Sequence, residues 1–219
     1  MQGKALRDLI FEFRDMWRVR LSADGLAKVT ALKVDLKPDA VPRRGKPRRY
    51  AQKHLHFMRN QINSFRNKGY IRRNSPSRWS SSVLIAPKHQ LPSEFRVTVD
   101  TRYPNSHLVA IAGCLPILEL ILQHLHQYLG DPVGGNALKG FWKFPLDADC
   151  HEIQYLLTDF QIFTRDRIVQ RSMDAAHAFQ AGMYESMDSL LFQCVLNWIE
   201  DVWSTQNMLK SIFKTWGRF

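Results

Sequence analysis

Apolar positions recur along this chain with two periods, and the periods separate helices from strands. Leu6, Leu9, Ile10, Phe13 and Trp17 fall at helical spacing, with Arg7, Asp8, Glu12, Arg14 and Asp15 on the other faces. This predicts an amphipathic helix that ends near Ser22–Gly25. Val34–Lys37 predicts a short strand. Pro38, Pro42 and Pro47 then hold an extended segment that cannot be helical. Leu55, Met58, Ile62 and Phe65 mark one face of a helix from about Tyr50 to Lys68, and Gly69 is placed to end it. Val83–Ala86 reads as a strand. Phe95, Val97 and Val99 alternate with Arg96, Thr98 and Asp100, so a second, half-buried strand follows, and the two predict a hairpin through Gln90–Ser93. Pro116 opens another helix through Leu129. Glu152–Thr158 and Gln161–Thr164 predict a second hairpin, and Asp174–Met187 a helix that starts from an acidic cap. Leu191–Val202 is a strand that runs into a turn. Helices and hairpins mix without regular βαβ alternation, which implies an α+β fold with an antiparallel sheet.

Charge changes the picture. The 219 residues carry a net charge of +11. Twelve Lys/Arg and one Asp lie between Lys37 and Arg73, while the remainder carries nineteen side chains of each sign. The whole excess therefore sits in one block, which suggests a polyanion partner. Tyr50, Leu55, Phe57, Met58, Ile62 and Phe65 interleave with it, so the block also has apolar residues to bury and does not read as a solvating tail. Cys114, Cys150 and Cys194 are odd in number and far apart, with no CxxC pair, which argues against a zinc ribbon or redox motif and for an intracellular chain with reduced thiols. Met1–Asp8 lacks the apolar core of a signal peptide. The most apolar run, Ile111–Leu122, contains Pro116 and Glu119 and is too short and polar to cross a bilayer. No membrane partner is expected.

The candidate chemistry centres on Trp198-Ile199-Glu200-Asp201. A strand ending in paired acids sets two negative oxygen ligands on one tight turn, as a pair of hard divalent cations requires. Alone, such a turn is more often a solvated surface feature. Other constellations carry less. His54/His56 and His124/His126 are i, i+2 pairs that point to different helix faces. Cys150, His151 and Glu152 are adjacent, and adjacent strand residues face opposite ways. Ser80–Ser82 reads as a self-bonded loop, and Trp17, Trp142, Trp198 and Trp216 read as core residues rather than base-stacking platforms.

Taken in order, six segments resemble the reverse transcriptases of gypsy-type LTR retrotransposons. Ser77–Lys88 is similar to that family's Ser-x-Trp-x-Ser-Pro-x-x-x-Val-Pro-Lys, and Phe95–Asn105 to its Phe-Arg-x-x-Val-Asp-x-Arg-x-x-Asn. Leu115–Glu119 resembles the Pro-Ile-x-Glu/Asp that opens its next helix, and Ala137–Leu146 the Lys-Gly-Phe-Trp-Gln-x-Pro-Leu after its first catalytic aspartate. Phe163–Gln180 resembles the stretch around its Pro-Gln-Gly loop, and Trp198–Asp201 falls at its Tyr/Trp-x-Asp-Asp position. The likeness spans roughly Val34 to Val202.

The resemblance implies the fingers and palm of a right-hand polymerase with an antiparallel palm sheet. It implies an N-terminal lead-in over residues 1–33, the fingers/palm domain over 34–205 and a short tail over 206–219. Only eighteen residues follow Asp201, which leaves no room for a thumb or for ribonuclease H and integrase regions. The implied partners are an RNA or DNA template–primer and a dNTP, and the implied cofactor is Mg²⁺, held at Glu200 and Asp201. By position, Lys88, Arg96 and Gln170 are the nucleotide contacts. Arg96 can fork onto phosphate oxygens, and Lys88 supplies a point charge. Arg43, Arg44, Lys46, Arg48, Arg49, Arg72 and Arg73 are the nucleic-acid contacts.

The catalytic positions fall on Asn136, Glu200 and Asp201, and here the sequence departs from the family. Counted back from Lys139-Gly140-Phe141-Trp142, the first aspartate is replaced by Asn136, whose amide brings no net charge. Glu200 is one methylene longer than the expected Asp, and misplacement by an ångström can cost about 10²-fold in rate. Val169-Gln170-Arg171 stands where Pro-Gln-Gly is expected, with Arg171 at the place of a glycine. Gly134-Gly135 weakens the strand before Asn136. The expectation is an RNA-directed DNA polymerase by descent, catalytically impaired. The alternatives are a non-catalytic nucleic-acid-binding module that uses residues 37–73, or a non-functional relic open reading frame.

Overall fold

A computed structural model describes residues 25–74, 76–89, 91–128, 132–137, 139–192 and 195–205, preceded by Arg7, Asp8, Phe11, Glu12 and Ala23. The helix expected over Leu6–Trp17 lies largely outside these residues, although Arg7, Asp8, Phe11 and Glu12 within it are helical. In chain order the elements are β1 (Asp35–Leu36), α1 (Gln52–Asn67), β2 (Arg72–Arg73), β3 (Ser81–Pro87), β4 (Phe95–Val99), α2 (Arg102–Ser106), β5 (Leu108–Val109), α3 (Leu118–Tyr128), β6 (Pro132–Asn136), β7 (Leu156–Leu157), β8 (Ile162–Thr164), α4 (Ala175–Met187), β9 (Val195–Trp198) and β10 (Asp201–Thr205). The chain forms two units interleaved in sequence. One comprises Ala31–Ile111 and Pro145–Ala175, the other Met1–Thr30, Ala112–Phe144 and Ala176–Phe219.

The unit built on Ala31–Ile111 holds a five-stranded sheet in the order β2-β8-β7-β3-β4, beside the short pair β1-β5. The predicted hairpin is its right-hand side, with Ile85 opposite Val97. The second hairpin pairs Leu156 with Phe163. Its first strand is shorter than expected, because Cys150–Ile153 closes a tight turn through the Ile153 N–H to the Cys150 carbonyl (3.1 Å) and the chain extends only afterwards. β3 and β7 run parallel, Ser81 beside Leu156, whereas the sequence predicted antiparallel pairing alone. α1 buries Met58, Ile62 and Phe65, the i, i+4, i+7 face read from the sequence. Gly69 ends it at φ +71°. The Gly69 N–H donates to the Arg66 carbonyl and the Tyr70 N–H to the Phe65 carbonyl, both at 2.9 Å. With the Phe65 and Tyr70 rings 6.5 Å apart, this is a Schellman stop with its apolar contact. Cys150 is buried, and its thiol bonds the backbone of Val34. His151 bonds the Leu146 carbonyl, and Glu152 pairs with Arg78. The three side chains serve separate neighbours.

The other unit holds a wholly antiparallel sheet in the order β6-β10-β9. Ile121 of α3 packs with Leu196 in its core, against Leu125, Trp198 and Trp203. Phe179 of α4 stacks with Phe141 and Phe144 at centroid distances of 4.8 and 4.3 Å. Gly134 of β6 lies under the Trp203 indole, where a Cβ would come within 3.1 Å of the ring. The Gly-Gly pair thus makes room for a cross-strand tryptophan. Asp174 does not cap the helix that follows it. Its carboxylate accepts the Ile111 N–H at 3.2 Å, and the helix begins with the Ala175 N–H on the Ser172 carbonyl. Among the described residues, no helix is long and apolar enough to cross a membrane.

Candidate active site and nucleic-acid surface

The acidic turn is a two-residue hairpin loop. β9 and β10 pair Trp198 with Asp201 and leave Ile199 and Glu200 at the tip. Ile199 sits at φ +53°, in the left-handed region that costs a branched residue about 1–2 kcal/mol. Buried hydrogen bonds hold it there. Gln180 of α4 accepts the Ile199 N–H at 2.6 Å and donates to Asn197 Oδ1 at 2.6 Å. Asn197 Nδ2 in turn donates to the carbonyls of Ile199 (2.8 Å) and Asp201 (3.0 Å). Gln180 and Asn197 are each only 2% exposed. Sequence reasoning assigned neither of them a role. The available signal was a polar residue flanked by an apolar one in each element, Gln180 by Phe179 and Asn197 by Leu196.

The acids themselves are held by donors. β6 and β10 place Asn136 directly opposite Asp201, and the Asn136 Nδ2 donates to Asp201 Oδ1 at 2.8 Å. Glu200 Oε1 accepts the Gly140 N–H at 3.0 Å, while its carbonyl accepts the Ala137 N–H at 2.7 Å. Burial raises the Glu200 carboxyl above its ordinary range, and the Asp201 charge adds to this against the Gly140 and Phe141 N–H groups.

A carboxyl whose folded pKa is raised makes the native state bind more protons than the unfolded chain. Stability should therefore fall as pH rises from about 4.3, the ordinary Glu value, through the raised one, and stay reduced above it. Glu200→Gln keeps an acceptor for Gly140 and should flatten this slope, leaving the variant the more stable chain at neutral pH. Denaturant midpoints measured across that window read the difference; parallel slopes in both proteins would refute it.

These groups do not fit a two-ion centre. An amide N–H points at one carboxylate and a backbone N–H at the other, where a cation needs open oxygens. Among the described residues, no three His, Cys, Asp or Glu side chains are grouped to hold a metal ion.

The expected nucleotide contacts lie in the other unit. Arg96 is exposed on β4 opposite Ala86. Lys88 follows β3, and its ammonium pairs with Glu94 across the hairpin at 2.5 Å. Gln170 is exposed, next to Arg171. Arg171 stands at φ +74°, and its carbonyl accepts Thr101 Oγ1 (2.8 Å) and Asn105 Nδ2 (3.0 Å). The backbone there keeps the conformation a glycine favours. Arg171→Gly should raise stability by about 1 kcal/mol in denaturant unfolding; a loss of stability would show that the arginine side chain compensates for the backbone.

The basic block is not a loose arm. Arg43, Arg44, Lys46 and Arg49 are exposed on a segment running beside β3, and Arg48 pairs with Asp100 at 3.3 Å. Arg72 and Arg73 form β2, paired with Thr164 and Phe163. Arg59 is spent on Asp159 at 3.0 Å.

No family model and no curated protein matches this sequence. Solved structures match its fold. A foamy viral protease-reverse transcriptase in complex with RNA/DNA hybrid overlays 99% of the chain with a TM-score of 0.82 at 15% identity. The complex with dsDNA overlays 98% with a TM-score of 0.82 at 16% identity. Native Prototype Foamy Virus protease-reverse transcriptase overlays 98% with a TM-score of 0.80 at 15% identity. The chain spans 29%, 45% and 29% of those three chains. A mixed α+β architecture with antiparallel sheets and a reverse-transcriptase-like fold is what this chain has.

Proposed function

We propose that residues 34–205 are the fingers and palm portion of a gypsy-type reverse transcriptase by descent, impaired as a polymerase and still able to hold nucleic acid. The observation that carries the impairment is the 2.8 Å hydrogen bond from the Asn136 amide to Asp201. In a two-ion polymerase that place belongs to a third carboxylate, where charge density is highest. Here an N–H donor neutralises part of the remaining charge. Glu200, drawn to Gly140, and Arg171 in place of a glycine add to the loss.

Binding rests on different residues. Two of the similar solved proteins are complexes with RNA/DNA hybrid or dsDNA, which supports a template–primer as the partner of this fold, with a dNTP at Lys88, Arg96 and Gln170. The localised charge between Lys37 and Arg73 supplies a sequence-independent attraction to phosphate. Primer extension on an RNA template in Mg²⁺ and in Mn²⁺ tests the reading. The wild-type chain should bind the template–primer and incorporate at least about 100-fold more slowly than an intact relative. Incorporation near the intact rate would refute it.

A further inference from the structure

The basic block divides into cations already engaged and cations left open among the described residues, and three of the open ones, Arg44, Lys46 and Arg49, lie within six residues on one clamped strap. Residues 43–50 run along Ser80–Val83 and are bonded to it at Arg43, Gly45, Lys46 and Tyr50. The Ser80 N–H donates to the Arg43 carbonyl at 3.1 Å. The Gly45 N–H reaches the Ser80 hydroxyl at 2.8 Å. Ser82 Oγ donates to the Lys46 carbonyl at 3.1 Å, and the Tyr50 hydroxyl to the Val83 carbonyl at 2.6 Å. Gly45 makes the approach possible, because a Cβ there would stand 2.9 Å from the Ser80 carbonyl oxygen and 3.4 Å from Ser82 Oγ. Pro42, just before the strap, and Pro47 within it stiffen the segment.

Along the strap Arg48 is taken by Asp100, itself bonded by the Arg102 guanidinium and backbone N–H. Arg43 lies over the Tyr103 ring at 4.9 Å. Arg44, Lys46 and Arg49 are exposed and form no ion pair among the described residues. A charged segment already ordered by the fold has little conformational entropy left to lose on binding. Cations on a flexible tail would meet that cost at each encounter.

We propose that this strap is the principal nucleic-acid surface of the chain, with Arg44, Lys46 and Arg49 as its phosphate contacts and Gly45 as the residue that sets its position. The proposal rests on the nucleic-acid partner read above and narrows it to one sequence-tolerant, backbone-reading surface. Single strands and duplexes share that phosphodiester chemistry, so both serve as probes.

Anisotropy titrations of the full chain with labelled single-stranded RNA and an RNA/DNA hybrid, at several salt concentrations, test it. The triple variant Arg44→Gln/Lys46→Gln/Arg49→Gln should bind at least about tenfold more weakly, with a salt slope shallower by about three contacts. Arg7→Gln/Lys28→Gln/Lys33→Gln removes the same charge from exposed positions outside residues 37–73 and should stay within about threefold of wild type. Gly45→Ala and Ser82→Ala leave the net charge unchanged and should each weaken binding several-fold. Melting curves identify any variant that has unfolded, and Ser82→Ala, the milder change, keeps the positioning role testable. Equal losses in the two triple variants would overturn the inference and leave diffuse charge as the cause. Full affinity in both neutral variants would overturn the role of Gly45. A wild-type chain with no salt-dependent binding would instead remove the reading beneath.

Discussion

Returning both acids, as Asn136→Asp with Glu200→Asp, is expected to raise primer extension in Mg²⁺ by at least about 100-fold over the wild-type chain. Asn136 and Asp201 are cross-strand partners with polar atoms 2.8 Å apart, so an aspartate at 136 would set an acceptor beside an acceptor. Without a cation the pair would repel by about 1 kcal/mol at this exposed position; a divalent ion would turn that repulsion into a shared ligand set. Shortening Glu200 draws its oxygens off the Gly140 N–H, which they accept at 3.0 Å. The variant should therefore melt lower in chelator than in Mg²⁺, whereas the wild-type chain should melt alike in both. Metal-dependent melting without any extension would mean that the acids can be rebuilt but do not limit the chemistry, and Arg171 would become the next position to restore.

Gln180→Ala is expected to cost about 3 kcal/mol of stability. The truncation leaves the Ile199 N–H and Asn197 Oδ1 without the partner they have at 2.6 Å, in surroundings where Gln180 and Asn197 are 2% exposed. Each buried orphan costs about 1–3 kcal/mol. Ile199 would also lose the bond that keeps it at φ +53°, so the acidic turn should loosen before the sheet does. Denaturant unfolding reads the first effect, and faster amide exchange at Ile199 and Asp201 reads the second. A loss below about 0.5 kcal/mol would mean that water or a rearranged Asn197 replaces the glutamine.

Most of the scaffold was legible because it depends on local rules. Periodicity marked the buried face of α1, and Gly69 marked its end. Alternation marked the β3–β4 hairpin, and the acids marked the β9–β10 turn. Counting back from Lys139-Gly140-Phe141-Trp142 pointed to Asn136, and the sheet sets that residue opposite Asp201. What sequence could not give was pairing at a distance. The parallel contact of β3 with β7 joins residues 75 positions apart, Ser81 and Leu156. Asp174 looked like a helix cap, but its carboxylate serves an N–H 63 residues away. The extended prolyl segment was expected, yet its bonds to Ser80 and Ser82 depend on a tertiary neighbour, and so does the ion pair that ties Lys88 to Glu94. Gln180 and Asn197 look unremarkable as letters and become important only where the two elements meet.

Calorimetric titration of Mn²⁺ and Mg²⁺ into the wild-type chain, beside the Asn136→Asp/Glu200→Asp variant, bears most directly on the centre of this reading. An amide donor on Asp201 and a backbone donor on Glu200 predict no saturable binding to the wild-type protein and clear binding to the variant. Saturable two-ion binding to the wild-type chain would contradict it.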